Sequence, residues 1–289
     1  MENDIVLDFY SKLPFNIKDN FDINTGINVN LYHPLTFQLS EECMNVFDIG
    51  CGPGHLINAL QMKSKQIKSK FSISNFFKKV NYTGIDFNPT AIEYAEKYAS
   101  KHRLQTNFIL KDIFELNSDI FKTKNKKVFV MSNGVLHHTR DCLEALKICL
   151  KSSKSNNEKV YFLIGLYHTY GRKPFLDWFQ ELKNKKVSND FLRKEFHSLR
   201  GLTNDKSNDE SWFQDQVNHP RETQHTFKEI YPLFIDHGFK LISSSLDSFK
   251  GSSPNKLMDI EIDYLDKGIK ALEERRYFPG YFTCLFCFE

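Results

Sequence analysis

Two short stretches limit what this chain can fold into: VFDIGCGPGH at residues 46–55 and YTGIDFNP at residues 82–89. Each begins as a β-prone apolar run and stops abruptly, the first in Gly50, Gly52 and Gly54, the second in a lone acid, Asp86. Glycines in that pattern let the backbone turn sharply and approach a ligand, because no side chain stands in the way. In open parallel sheets, ligands sit outside the carboxyl ends of the strands where the strand order reverses. The two stretches therefore read as neighbouring strand ends at a binding edge.

The rest of the chain supplies such a sheet. Short runs rich in Val, Ile and Phe alternate with amphipathic stretches, the pattern of a mainly parallel sheet covered by helices. The pattern predicts strands at 45–49, 81–86, 106–110, 127–132 and 159–166, with two more in FKLISSSLDSF and YFTCLFCFE. Asn88 and Pro89 make an N-cap and N1 pair, while Asp141 with Glu144 and Thr226 with Glu229 resemble capping boxes; Gly238 closes the last of these helices. A Lys-rich segment from Gln61 to Lys79 lengthens the first crossover as a surface insertion, and the stretch 168–225 is long enough to be a lid.

Composition excludes little. With 39 basic and 36 acidic residues the net charge is +3, which gives no general argument for nucleic acid or membrane. The longest apolar run, Val160 to Tyr167, is too short to span a bilayer, and the start MENDIVLDFY has no signal-peptide pattern, so a cytoplasmic protein is expected. Cys284 and Cys287 have CxxC spacing but fall in a strand pattern, where they point to opposite faces; buried free thiols are expected rather than zinc or a disulfide. The histidines show no HxxxH or HxH pairing with acids on one helix, so no metal is expected.

Asp86 stands 86 − 50 = 36 positions beyond Gly50, where an acid ending the second strand can accept hydrogen bonds from ribose hydroxyls. A dinucleotide fingerprint would read GxGxxG with its acid about 20 residues on; here the spacing is GxGxG, although the Lys-rich insertion accounts for the added distance, and another nucleotide remains an alternative. Asp48, inside the turn, is awkward beside a pyrophosphate and favourable beside an ammonium or sulfonium group.

On these residues the chain resembles the class I S-adenosylmethionine-dependent methyltransferases, whose first motif is an acid followed by GxGxG and whose second strand ends in the ribose acid. The resemblance implies an α/β fold, a Rossmann-like sheet with helices on both faces and a mainly helical lid insertion. It divides the chain into an N-terminal covering segment (1–42), the cofactor-binding core (43–167), the inserted lid (168–225) and a C-terminal helix and strands (226–289). It also implies Asp48, Gly50, Cys51, Gly52 and Gly54 around the methionine part of the cofactor, Asp86 on the ribose, Phe87 beside the adenine, and Asp112 with Ile113 at its amino group. SNGVLHHTRD looks like the SxGVLHHxxD segment of many small-molecule and some RNA members. Asn133, Gly134 and Val135 would then line the cofactor.

Methyl transfer to a hydroxyl or amine must align a nucleophile, exclude water and remove a proton. His137 and His138 stand at the expected edge of such a chamber, and GLYHTYGR adds His168 and Tyr170 as catalytic candidates, with Tyr167 and Arg172 as substrate contacts. In HPRETQHT, His219, Arg221, Glu222 and His225 either touch substrate or lock the lid; Arg221 is suited to clamp a carboxylate or phosphate. The reading that follows is a methyltransferase acting on a small polar metabolite. Its alternatives are an RNA (tRNA) methyltransferase, using 61–79 and Lys183 to Lys186 on phosphates, or a non-catalytic cofactor-binding partner subunit.

Overall fold

The computed structural model describes residues 4–12, 28–70, 79–124, 126–154, 156–203 and 205–289. Seven strands form one sheet in the order β3-β2-β1-β4-β5-β7-β6. They are β1 (Asn45–Ile49), β2 (Asn81–Asp86), β3 (Asn107–Leu110), β4 (Lys127–Asn133), β5 (Lys159–Tyr167), β6 (Lys240–Ser244) and β7 (Tyr281–Phe288). The first five run parallel, and β7 lies antiparallel to both β5 and β6. Strand order reverses between β1 and β4, so the carboxyl ends of those two strands open the crevice where such sheets bind ligands.

Both faces of the sheet are buried, which explains the nearly unbroken apolar runs. One face carries Val46, Phe129, Met131 and Leu163 against α2 (Thr36–Cys43) and α3 (His55–Lys70). The other carries Ile49, Val130, Phe162 and Phe286 against α5 (Cys142–Lys154) and α9 (Phe227–Asp236). The predicted caps are present. The Asn88 side chain accepts from the amides of Thr90 and Ala91 to open α4 (Pro89–Lys101), Asp141 accepts from Glu144, and Thr226 accepts from Glu229. FKLISSSLDSF is strand only to Ser244, whose hydroxyl then takes the Leu246 amide and starts a 3-10 turn. Helix α3 continues through the Lys-rich segment to Lys70; the expectation for 71–78 lies outside the described residues. All six cysteines are free and buried.

The 168–225 stretch folds as three helices, α6 (Thr169–Asn184), α7 (Asn189–Arg200) and α8 (Lys206–Val217). They share an apolar cluster of their own around Phe175, Phe179, Phe196 and Phe213. Two further helices, α10 (Pro254–Ile260) and α11 (Asp263–Glu273), lie outside the predicted elements. Gly268 of α11 lets Pro174 and the Gly171 carbonyl come so close that a Cβ there would sit 2.8 and 2.9 Å from them, which fastens α6 to the C-terminal region. At the other end of the chain α1 (Asp4–Lys12) lies over the C-terminal part of α8. Among the described residues no helix is long and apolar enough to cross a membrane.

Candidate active site

The turn after β1 is built from backbone. Gly50, Gly52 and Gly54 all have positive φ, and a Cβ on Gly50 would lie 2.3 Å from the Val135 side chain. The amides of Gly50 and Cys51 both donate to the Ile85 carbonyl, at 2.7 and 3.0 Å, which locks the turn to the end of β2. Asp86 reaches back: one oxygen accepts from the Gly52 amide at 2.8 Å and the other from Asn88 at 2.9 Å. Its carboxylate therefore joins the two strand ends and keeps lone pairs for a ligand. Burial pushes Asp48 up to about 7, and the nearby Asp86 adds to the shift. A buried acid in that state favours a neighbouring cation. Cys51 is buried and Phe87 half-buried beside this turn, and Asp112 caps the 3-10 turn at Ile113 through the Phe114 amide.

Across the crevice, buried polar atoms lack partners among the described residues: the Ser132 hydroxyl, both amide atoms of Asn133 and the Tyr281 hydroxyl. Gly165 makes room for Asn133 and Tyr281, since a Cβ there would meet the Tyr281 oxygen at 1.8 Å and the Asn133 carbonyl oxygen at 2.8 Å. Unsatisfied donors and acceptors facing a glycine turn fit a polar ligand that offers both kinds of group. The glycine turn expected around the methionine part and Asp86 expected on the ribose thus stand together at the ends of β1 and β2, with Asn133 at the end of β4.

Next to it, the ends of β4 and β5 carry a stack of rings. Tyr167 lies 4.3 Å from His137, which lies 4.3 Å from His138, which lies 3.9 Å from His219. The Arg172 guanidinium covers Tyr167 at 4.2 Å. Phe9 and Tyr10 of α1 close the far end on His219, at 4.9 and 5.4 Å. The Tyr10 hydroxyl donates to Asp215 at 2.8 Å. Gln216 donates to both the Tyr167 oxygen and Asp215, at 2.6 Å each, and accepts from Tyr277. Burial holds His137 well below the ordinary histidine range, and His138 beside it adds to the effect. Its Nδ1 accepts the Tyr167 amide at 3.3 Å, so its hydrogen sits on Nε2, which is buried without a partner.

The expected site residues divide. His137, His138, Tyr167 and His219 come together. His168 and Tyr170 do not join them: His168 is fully buried, with Nε2 on Glu261 at 3.1 Å and Nδ1 capping α6 at Gly171, 3.4 Å away. Tyr170 packs on the apolar core. Arg172 and Glu222 form a buried two-toothed ion pair, at 3.0 and 2.8 Å. His225 is held by Thr223 and Glu229, both at 2.9 Å. The amides of Thr223 and His225 donate to the carbonyls of His137 and Tyr167, so HPRETQHT is laced to the strand ends. Tyr10, Asp215, Gln216, Tyr277 and Tyr281 were not expected as site residues. Asp215 stood in a conspicuous run of ionisable residues, whereas Tyr281 begins a strand with no local signal.

The family described as "Methyltransferase domain" matches residues 40–233, more than half of the chain. No curated protein matches the sequence. Among solved structures, the magnesium protoporphyrin IX methyltransferase from Synechocystis PCC 6803 with bound SAH is similar at 15% identity, with 99% of this chain and 95% of that one covered and a TM-score of 0.50. PKMT2 from Rickettsia typhi in complex with AdoHcy is similar at 15% identity and a TM-score of 0.54, with 90% of this chain covered and 53% of that one. At this identity the two likenesses establish the fold.

Proposed function

This chain belongs to the methyltransferase-domain family, and from that premise we propose that it methylates a small polar metabolite held beneath α1 and the 168–225 insertion. It is an S-adenosylmethionine-dependent methyltransferase. When bound, that cofactor supplies an electrophilic methyl group. On this reading Asp86 accepts from the ribose, and Phe87, Asp112 and Ile113 flank the adenine. Asp48, the Gly50–Gly54 turn, Asn133, Gly134 and Val135 hold the methionine part. His138 removes the acceptor's proton, and His137, Tyr167 and His219 line the acceptor chamber. Arg172, Glu222 and His225 hold the insertion in place around it.

The observation that carries the reading is closure: His137 is fully buried, and Asp215 and His138 retain 4% and 6% of their accessible surface under α1 and α8. Side chains this enclosed suit an acceptor that can be surrounded rather than a polymer. Of the lysines proposed for RNA phosphates, Lys183 donates to the Val217 carbonyl and Lys185 to Glu181.

The test begins with calorimetric titration of the full chain by S-adenosylmethionine, S-adenosylhomocysteine and NAD, with micromolar binding of the first two expected and NAD silent. Methyl-labelled cofactor is then incubated with the protein and either a low-molecular-weight cell extract or total RNA. Label in the small-molecule fraction is expected. Label confined to RNA would overturn the substrate class, and cofactor binding without transfer to either pool would favour the partner-subunit reading.

A further inference from the structure

We propose that His138 and His219 form a recognition site for one hydroxyl group, His138 accepting its proton and His219 donating to its oxygen. This rests on the methyl-transfer reading above and names its acceptor: an alcohol or phenol.

The backbone of one residue, Arg221, meets both rings. Its carbonyl lies 2.9 Å from Nδ1 of His138, and its amide lies 3.1 Å from Nδ1 of His219. A carbonyl only accepts, so Nδ1 of His138 carries hydrogen; an amide N–H only donates, so Nδ1 of His219 is bare. A neutral imidazole has one nitrogen of each kind. In the neutral ring Nε2 of His138 is therefore an acceptor, and Nε2 of His219, buried without a partner, is a donor. Burial, with His138 beside it, also lowers His219 to about 2, which keeps that ring neutral. The rings stack at 3.9 Å with a 35° tilt, so opposite tautomers stand side by side.

Ligand chemistry decides what such a pair can read. A hydroxyl donates once and accepts, which satisfies both nitrogens. A carboxylate would set its lone pairs against His138, and an ammonium would set its hydrogens against His219. A metal ion is the competing reading, because His138, Asp215 and His219 each offer one ligand-type atom, all within 4.8 Å of one another. For His219 to bind an ion through Nε2, its hydrogen would have to move to Nδ1, against the Arg221 amide. Both Asp215 oxygens, moreover, already accept hydrogen bonds, from Tyr10 and Gln216.

Asp215 has a further use in the proton step. As the acceptor's O–H bond breaks, the proton goes to His138 Nε2. The oxygen forms its bond to the methyl carbon, and the electron pair of the carbon–sulfur bond stays on sulfur. The imidazolium left behind lies near the Asp215 carboxylate, which stabilises it.

The test uses the full chain with isotope-labelled histidine, loaded with S-adenosylhomocysteine, and long-range proton–nitrogen correlation spectra assigned with His138→Gln and His219→Gln. The expected result is hydrogen on Nδ1 of His138 and on Nε2 of His219. The same tautomer on both rings would overturn the proposal, as would zinc chloride binding stoichiometrically and shifting both rings. Phenol, benzoate and benzylammonium are then added in turn, and only phenol should shift both Nε2 signals. Equal shifts with either ion, or none with phenol, would also overturn it. Failure to bind S-adenosylhomocysteine in parallel calorimetry would instead remove the methyl-transfer reading, whatever the tautomers.

Discussion

Where β1 and β2 end, the crevice is made of backbone; where β4 and β5 end, it is made of side chains. The first region holds its shape through positive-φ glycines and amides tied to Ile85 and Asp86. The second holds its shape through Arg172, Glu222, Gln216 and a stack of imidazoles, contributed by segments from Tyr10 to Tyr281. A turn of positive-φ glycines is strained by an added side chain, whereas the side-chain half depends on its buried ion pair staying intact. The two halves should therefore fail in different ways.

The largest effect is expected in the side-chain half. Arg172→Met removes a fully buried guanidinium and strands Glu222, which should lower stability by about 3–5 kcal/mol, read by urea unfolding. Adding Glu222→Gln should restore much of the loss, because the unpaired charge goes with it. Cofactor affinity of whatever remains folded should change little. If Arg172→Met abolishes cofactor binding in folded protein, the two halves are not separable.

Gly50→Ala attacks the backbone half. The new Cβ would meet Val135 at 2.3 Å in a residue with φ of +73°, so the turn must move. We expect a loss of about a hundredfold in cofactor affinity, or about 2.7 kcal/mol, by calorimetry, with the unfolding midpoint shifted less than by Arg172→Met. Val135→Ala in the same chain should recover part of it.

The same contrast explains what could be read in advance. Gly50, Gly52, Gly54 and Asp86 each stand in a short motif at the end of an apolar run, and Asn88 caps amides two and three residues on, so their local pattern marks them even though Asp86 reaches Gly52 across 34 positions. Strand positions were legible for the same reason, since alternating apolar segments are local. The pairing of Tyr10 with Asp215 spans 205 positions, and that of His168 with Glu261 spans 93. Nothing local distinguishes such a residue from a surface polar one. His168 has the composition of a catalytic residue and the contacts of a helix cap, and only the position of Glu261 decides between them.

Protonation sharpens the comparison at a smaller scale. Asp48 titrates near 7 because burial, and then Asp86, oppose its charge. A bound cation favours the ionised form, so below pH 7 binding must first expel a proton, while above pH 7 it need not. S-adenosylmethionine should therefore bind about tenfold more weakly at pH 6 than at pH 8, and Asp48→Asn should flatten the profile. A steep profile that survives Asp48→Asn would move the titrating group elsewhere in the crevice.

Arg221→Ala should have the smallest effect, although sequence reasoning gave that guanidinium the most specific role. The histidines it serves are held by its carbonyl and amide, which alanine retains. Stability should fall by less than about 1 kcal/mol, and the tautomers of His138 and His219 should be unchanged in the spectra described above. A large loss of substrate affinity with both tautomers intact would return the guanidinium to the role of an anion clamp. Loss of the tautomers themselves would mean that the side chain holds the backbone in register, and that even this half of the crevice relies on a backbone that a side chain must fix.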